Sequence, residues 1–172
     1  MTAALPNGKL LGGSTTSPGT GGEQKATEAQ LYIMDMATKR IEWHEVVFPG
    51  VQGYTDMCLA PNGLVLGVAD RVRFFAFDPA TRKVVHEADL GTKFGSTNSQ
   101  QGPRVFVLSP DGDLYMLFVK GVARVDLATH GITMLAESPV SIGPGGDFLN
   151  GRIYFCSGAH VYSYQVLARA AD

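Results

Sequence analysis

Ala60-Pro61-Asn62-Gly63, the apolar run Leu64-Val65-Leu66-Gly67-Val68-Ala69 behind it, and then Phe75-Ala76-Phe77-Asp78-Pro79-Ala80-Thr81-Arg82 contain two turn signals within one short stretch. Asn-Gly between apolar runs marks a hairpin, since a type I′ turn needs positive φ at both central residues. Asp-x-Ala-Thr after an apolar run marks a second turn, in which the short Asp side chain bonds back to its own backbone. Both signals recur along the chain. The first returns as Leu5-Pro6-Asn7-Gly8, Ser109-Pro110-Asp111-Gly112 and Leu149-Asn150-Gly151. The second returns at Asp35 and Asp126, 43 residues before and 48 residues after Asp78. Two interleaved turns in one period of this length predict a four-stranded antiparallel unit, the blade of an all-β propeller.

The period predicts blades over residues 2–48, 54–90, 104–137 and 146–166. In the second, strand A is Thr55–Ala60, B is Leu64–Ala69, C is Val72–Phe77 and D is Lys83–Asp89. The fourth blade is expected to stop after strand C: Gln165 stands where the turn aspartate should be, and Leu167–Asp172 does not read as a strand. The expectation is therefore three complete blades plus a three-stranded fourth, belonging to a wider ring. Ser14–Ala29 interrupts the first blade between B and C. Its Ser, Thr, Gly and Pro residues bury little, which predicts a mobile, exposed excursion.

Composition bounds the function. The 172 residues include 21 glycines and carry a formal net charge of −2. A weakly acidic chain without Lys/Arg clusters is not built for nucleic acid or an anionic membrane. No apolar run reaches the length of a membrane span. Met1–Gly8 lacks the basic and apolar regions of a signal peptide, and the compartment stays open. Cys58 and Cys156 lie in apolar strands and read as buried free thiols, with no disulfide framework or metal cluster.

Apolar strand, Pro-Asn-Gly, strand, then Phe75-Ala76-Phe77-Asp78-Pro79-Ala80-Thr81-Arg82-Lys83-Val84 resembles the quinoprotein-like, NHL-like and lactonase-like propellers of bacteria. The resemblance covers nearly the whole chain and implies a fold. It does not choose among the lyases, lactonases, dehydrogenases and binding modules that share that fold. The only tryptophan is Trp43, so the repeated tryptophan docking motif of quinone enzymes is absent and no cofactor is expected.

Blade topology puts the A–B and C–D turns on one face and the D–A and B–C connections on the other. The turn aspartates Asp35, Asp78 and Asp126 therefore read as structural. The irregular connections bring Tyr54, Asp56, Arg104, Asp147 and His160 to the second face, a polar pocket for a small acid, a sugar or a metal. No zinc site is expected, because only His160 with Asp56 or Asp147 could converge and zinc needs three or four ligands. The residues thus point to a non-catalytic binding or scaffolding segment of a larger bacterial protein. Its partners would be further blades of a longer chain or copies of itself, with a small-molecule or carbohydrate ligand on the loop face. A lactonase-like or lyase-like enzyme using those acids and His160, and a purely structural four-bladed unit, remain open alternatives.

Overall fold

The structure, a computed structural model, describes residues 1–98 and 105–167. It contains fifteen strands in four antiparallel sheets of four, four, four and three strands. Each sheet is a meander in sequence order. The first comprises β1 (Thr2–Leu5), β2 (Lys9–Gly13), β3 (Leu31–Asp35) and β4 (Ile41–Glu45). The second comprises β5 (Tyr54–Leu59), β6 (Val65–Ala69), β7 (Arg73–Asp78) and β8 (Lys83–Asp89). A four-residue helix, α1 (Gly91–Phe94), follows it. The third sheet holds β9 (Phe106–Leu108), β10 (Leu114–Phe118), β11 (Gly121–Val125) and β12 (Ile132–Glu137). The fourth holds β13 (Gly146–Leu149), β14 (Arg152–Ser157) and β15 (His160–Gln165), without an outer strand among the described residues. The chain divides into two compact units, Met1–Gly91 and Thr92 onward, with two sheets in each.

The Asp-x-Ala-Thr turn builds the same way three times. In the second sheet the Arg82 N–H donates to the Asp78 carbonyl at 2.8 Å, while the Asp78 carboxylate accepts the Ala80 N–H at 2.9 Å and the Thr81 hydroxyl at 2.8 Å. Asp35 accepts the Thr38 N–H and hydroxyl at 2.7 and 2.8 Å, and Asp126 accepts the Ala128 and Thr129 N–H groups at 2.8 and 2.9 Å. The residue that closes each turn is left-handed and is not glycine: Lys39 at φ 58°, Arg82 at 59° and His130 at 60°. The sequence reading placed positive φ at the Asn-Gly and Asp-Gly pairs; here the side-chain bonds from the aspartate hold an ordinary residue in that region. Each outer strand then carries one extra residue against its partner, at Glu42, Val85 and Leu135. These bulges add twist to the sheet edge.

The Asn-Gly turns are of more than one kind, which corrects the expectation of a uniform type I′ turn. Only Asn150-Gly151 is a two-residue loop with both φ positive, at 49° and 72°. In Pro61-Asn62-Gly63 and Pro110-Asp111-Gly112, proline fixes its own φ near −65° and the left-handed position moves to Gly63 (85°) and Gly112 (87°). The loop lengthens by one residue, as the pairing of Leu59 with Val65 shows.

In the first unit, Ala3, Leu11, Leu31 and Ile33 pack against Tyr54, Met57, Val65, Ala69, Phe75 and Phe77. Phe75 folds over Gly67, its cross-strand partner, where any Cβ would meet the ring. Trp43 lies on Phe77 with ring centroids 5.6 Å apart. In the second unit, Val107, Tyr115, Leu117, Val122, Ile142, Ile153 and Phe155 form the core, and Tyr115 stacks on Phe148. The Ser14–Ala29 excursion is tied at both ends. Thr16 donates its N–H to the Gln52 carbonyl at 2.8 Å, Gln52 Nε2 donates to the Thr27 carbonyl at 3.0 Å, and Ala29 is fully buried. Ser17–Ala26 between them is exposed.

Two outcomes follow from the turn chemistry. Asp78→Ala should lower stability by roughly 0.5–2 kcal/mol, as for a lost cap, nearer the lower figure because water screens an exposed carboxylate. Hydrogen bonding holds the Asp35 and Asp78 carboxyls below their usual 3.8. Their contribution is therefore complete above about pH 4 and is lost as pH falls through the lowered values. Urea titrations at pH 7 and pH 3 check both points: the Asp78→Ala difference should shrink at the lower pH. Conversely, Arg82→Gly should raise stability by roughly 0.5–1 kcal/mol. Relief of the left-handed cost, about 1–2 kcal/mol, outweighs the greater entropy of glycine, about 0.5–1 kcal/mol.

Candidate functional site

The residues expected on the loop face are placed by both units. Tyr54 and Asp56 open β5 in the first unit, Asp147 and His160 lie in β13 and β15 of the second, and Arg104 is outside the described residues. Tyr54 and Asp56 are two apart, a spacing that puts both side chains on one face of a regular strand. A register shift at Thr55 breaks that rule: Tyr54 pairs with Ala69, and Asp56 with Val68. Tyr54, Met57 and Ala69 consequently enter the first unit's core, while Asp56 goes with Val68 to the opposite face.

Tyr54 is only 5% exposed, wedged against Phe48 and Phe75, and its ring lies over Gly13. Its hydroxyl is buried without a hydrogen-bond partner. Burial, reinforced by the Asp70 carboxylate and opposed by Arg73, pushes its pKa well above that of an ordinary phenol. This is a core tyrosine, not a loop-face ligand contact. The polar work beside it is done by Asp70 and Gln52, which the sequence reading did not single out as site residues. Asp70 sits at φ 45° and Arg71 at 69°, so the B–C turn is left-handed at both positions. The Asp70 carboxylate accepts the Gln52 N–H at 3.0 Å and the Gly53 N–H at 2.9 Å. Gln52 Oε1 in turn accepts the Thr16 hydroxyl at 2.9 Å. These bonds fasten the excursion to the second sheet.

In the second unit, the structure shortens the B–C connection to Gly158-Ala159 and makes His160 the first residue of β15, paired with Ser157. Directly opposed residues of an antiparallel pair share a face. Asp147 opposes Tyr154, which opposes Ser163; His160 belongs with Ser157 and Tyr162 on the other face. The two candidate groups are thus turned away from each other. Asp147 lines a shallow depression of about 220 Å³ with Gly146, Tyr154, Cys156 and Val161. On the opposite face, Val122, Ala136, Pro139, Val140, Phe155 and Tyr162 line an apolar cleft of about 140 Å³. Among the described residues, no group of three or more His, Cys, Asp or Glu side chains could hold a metal ion. Cys58 and Cys156 are half-buried and unbonded to each other, and burial first, then Asp56, raises the Cys58 thiol pKa.

No protein-family model and no curated protein sequence matches the chain. Solved structures do. An extracellular domain assigned to a one-component system of B. thetaiotaomicron matches at TM-score 0.64 and 12% identity over 95% of this chain. The Dos1 propeller matches at 0.63 and 14% over 95%, and the Cps50 (Swd1) β-propeller domain of Myceliophteria thermophila at 0.63 and 16% over 97%. The likeness is one of fold: the four sheets are blades of the β-propeller kind. The chain spans 22%, 40% and 54% of those three chains. No helix among the described residues is long and apolar enough to cross a membrane.

Removing the Tyr54 hydroxyl removes a buried, unpaired polar group while keeping the ring that covers Gly13. Tyr54→Phe should therefore raise stability by about 1 kcal/mol, read as a higher urea midpoint at unchanged slope. A lower midpoint would mean that the hydroxyl is hydrogen-bonded in solution.

Proposed function

We propose that the chain is a non-catalytic segment of a bacterial β-propeller, a binding or scaffolding surface completed by further blades of a longer polypeptide or by self-association. Within that fold, the Phe-Asp-Pro-Ala-Thr turn favours kinship with the quinoprotein-like, NHL-like and lactonase-like group. One observation carries the non-catalytic reading: the carboxylates of seven aspartates are engaged with main-chain N–H groups. Asp35, Asp78 and Asp126 bind their own turns, and Asp70 binds Gln52 and Gly53. Asp56, Asp89 and Asp147 accept from Met57, Gly91 and Phe148. A general acid or base needs a carboxyl aimed at the substrate; these are aimed at the backbone.

Association is favoured by exposed apolar residues on the fourth sheet, where Leu149 is 59% and Val161 71% exposed. Surface of this kind, grouped on one element, is a common mark of contact. A second reading, a small-molecule or carbohydrate ligand, draws on the depression in which Asp147 lies beside the Tyr154 ring. An aromatic face with an adjacent carboxylate suits a sugar's apolar side and its hydroxyls.

Titration of the purified chain with Ca²⁺, Mg²⁺, Mn²⁺ and Zn²⁺, followed by thermal unfolding, is expected to give no saturable rise in Tm. A saturable rise abolished by Asp147→Asn or His160→Ala would replace this reading with a metal-dependent, lactonase-like enzyme. Sedimentation equilibrium at micromolar concentration tests self-association separately.

A further inference from the structure

We propose that Asn150-Gly151 is a self-modification site: the Gly151 main-chain nitrogen attacks the Asn150 side-chain amide, and the asparagine becomes a mixture of aspartate and isoaspartate. Three Asn-Gly pairs stand in the chain, Asn7-Gly8, Asn62-Gly63 and Asn150-Gly151. All three asparagines are exposed, so exposure does not choose among them. The hydrogen bonding of the two reacting groups does. The glycine N–H must be free to lose its proton, and the asparagine amide must be free to swing onto the glycine nitrogen, because reaction needs the two atoms close and aligned. Glycine has no side chain to obstruct that approach.

Two of the pairs are tied down. In the second sheet the Gly63 N–H donates to the Ala60 carbonyl at 3.0 Å, and Asn62 Oδ1 accepts the Leu64 N–H at 3.2 Å. Nucleophile and amide are both engaged there. In the first sheet Pro6–Gly8 is a 3₁₀ turn, whose i to i+3 pattern takes up the Gly8 N–H. Asn150-Gly151 is built differently. Leu149 and Arg152 close the two-residue loop and exchange the ladder bonds with each other, which leaves the Gly151 N–H outside the ring. Among the described residues, no hydrogen bond holds the Asn150 amide or the Gly151 N–H.

The step needs only water. Attack forms a bond from the Gly151 nitrogen to Asn150 Cγ and breaks the Cγ–Nδ2 bond. Ammonia leaves with the proton that the Gly151 nitrogen gives up, and a five-membered succinimide remains. Water then opens the ring at either carbonyl. Cleavage at Cγ gives aspartate on an unchanged backbone; cleavage at the main-chain carbonyl gives isoaspartate, whose backbone runs through Cβ and Cγ. Isoaspartate lengthens a two-residue loop by one methylene, and loop length fixes hairpin register. The same turn anchors the end of β15: the Gly151 carbonyl accepts Gln165 Nε2 and the Val166 N–H, each at 2.9 Å. Gly8 accepts the Met36 N–H at 2.9 Å in the same way in the first sheet. Isoaspartate at position 150 displaces that acceptor and loosens β15 at Val166.

Mass spectrometry tests this without reference to any ligand or to oligomeric state. The folded chain is aged at mildly alkaline pH, and conversion of amide to acid is followed in the tryptic peptides 1–9, 41–71 and 125–152, which carry one Asn-Gly pair each. Asn150 should convert at least about tenfold faster than Asn62, the factor implied by two hydrogen bonds that must break first. Asn7 should also lag behind Asn150. In guanidinium chloride the three should convert at similar rates, because the folded bonds are gone. Asn150→Gln, whose longer side chain would have to close a six-membered ring, should stop the conversion in peptide 125–152. In the aged chain the Val166 amide of the isoaspartate form should exchange at least about tenfold faster by nuclear magnetic resonance, while Asn150→Asp leaves it slow. Equal rates at Asn62 and Asn150 in the folded chain would overturn the proposal. So would an Asn150 that stays unconverted while the unfolded chain reacts, or a Val166 amide indifferent to isoaspartate.

Discussion

A carboxylate three residues ahead of a threonine governs how three of the four sheets gain their outer strand. Asp35, Asp78 and Asp126 each accept hydrogen bonds from within their own turn and so hold the following Lys39, Arg82 or His130 in a left-handed conformation. That reversal returns the chain alongside the strand it has just left, and a fourth strand follows. The constraint is local and strong enough to tolerate a non-glycine residue where the backbone pays a conformational cost. Where glutamine replaces the aspartate, at position 165, the side chain bonds across to Gly151, and the fourth strand is missing from the described residues.

The same economy explains the chemistry of the connections. A short carboxylate in a tight turn finds a main-chain N–H within reach, and a turn with unpaired donors is costly to bury or to order. Asp70 illustrates the result: it accepts the two N–H groups that follow Val51, and those bonds anchor Gln52, which anchors the excursion through Thr16 and Thr27. The polar residues that look available in the sequence are largely employed in holding loops to sheets.

Most of the fold was legible because its signals lie within a few residues of one another. Lys83–Asp89 was placed to the residue, and the other strands of the second sheet to within one. The finer turn types were missed because Pro61-Asn62-Gly63 and Pro110-Asp111-Gly112 close three-residue loops in which only the glycine is left-handed, and the dipeptide alone does not carry that loop length. The candidate site was much less legible. Its residues were grouped by the end of the blade they occupied, and that grouping ignored which face each side chain takes. One extra residue at Thr55 sends Tyr54 into the core and Asp56 to the other side, and strand parity separates Asp147 from His160.

The sequence by itself therefore determined the number of sheets and the order of their described strands, because turn hydrogen bonds join residues three or four positions apart. Only the tertiary structure decided what those sheets present. The burial of Tyr54 over Gly13, the clasp of Thr16 by Gln52, and the cleft that brings Val122 and Ala136 to Tyr162 all join residues far apart in the chain. Such contacts depend on register and on bulges, and a one-residue slip in a strand exchanges its two faces. No local pattern encodes that exchange; the packing of one sheet on the next selects it.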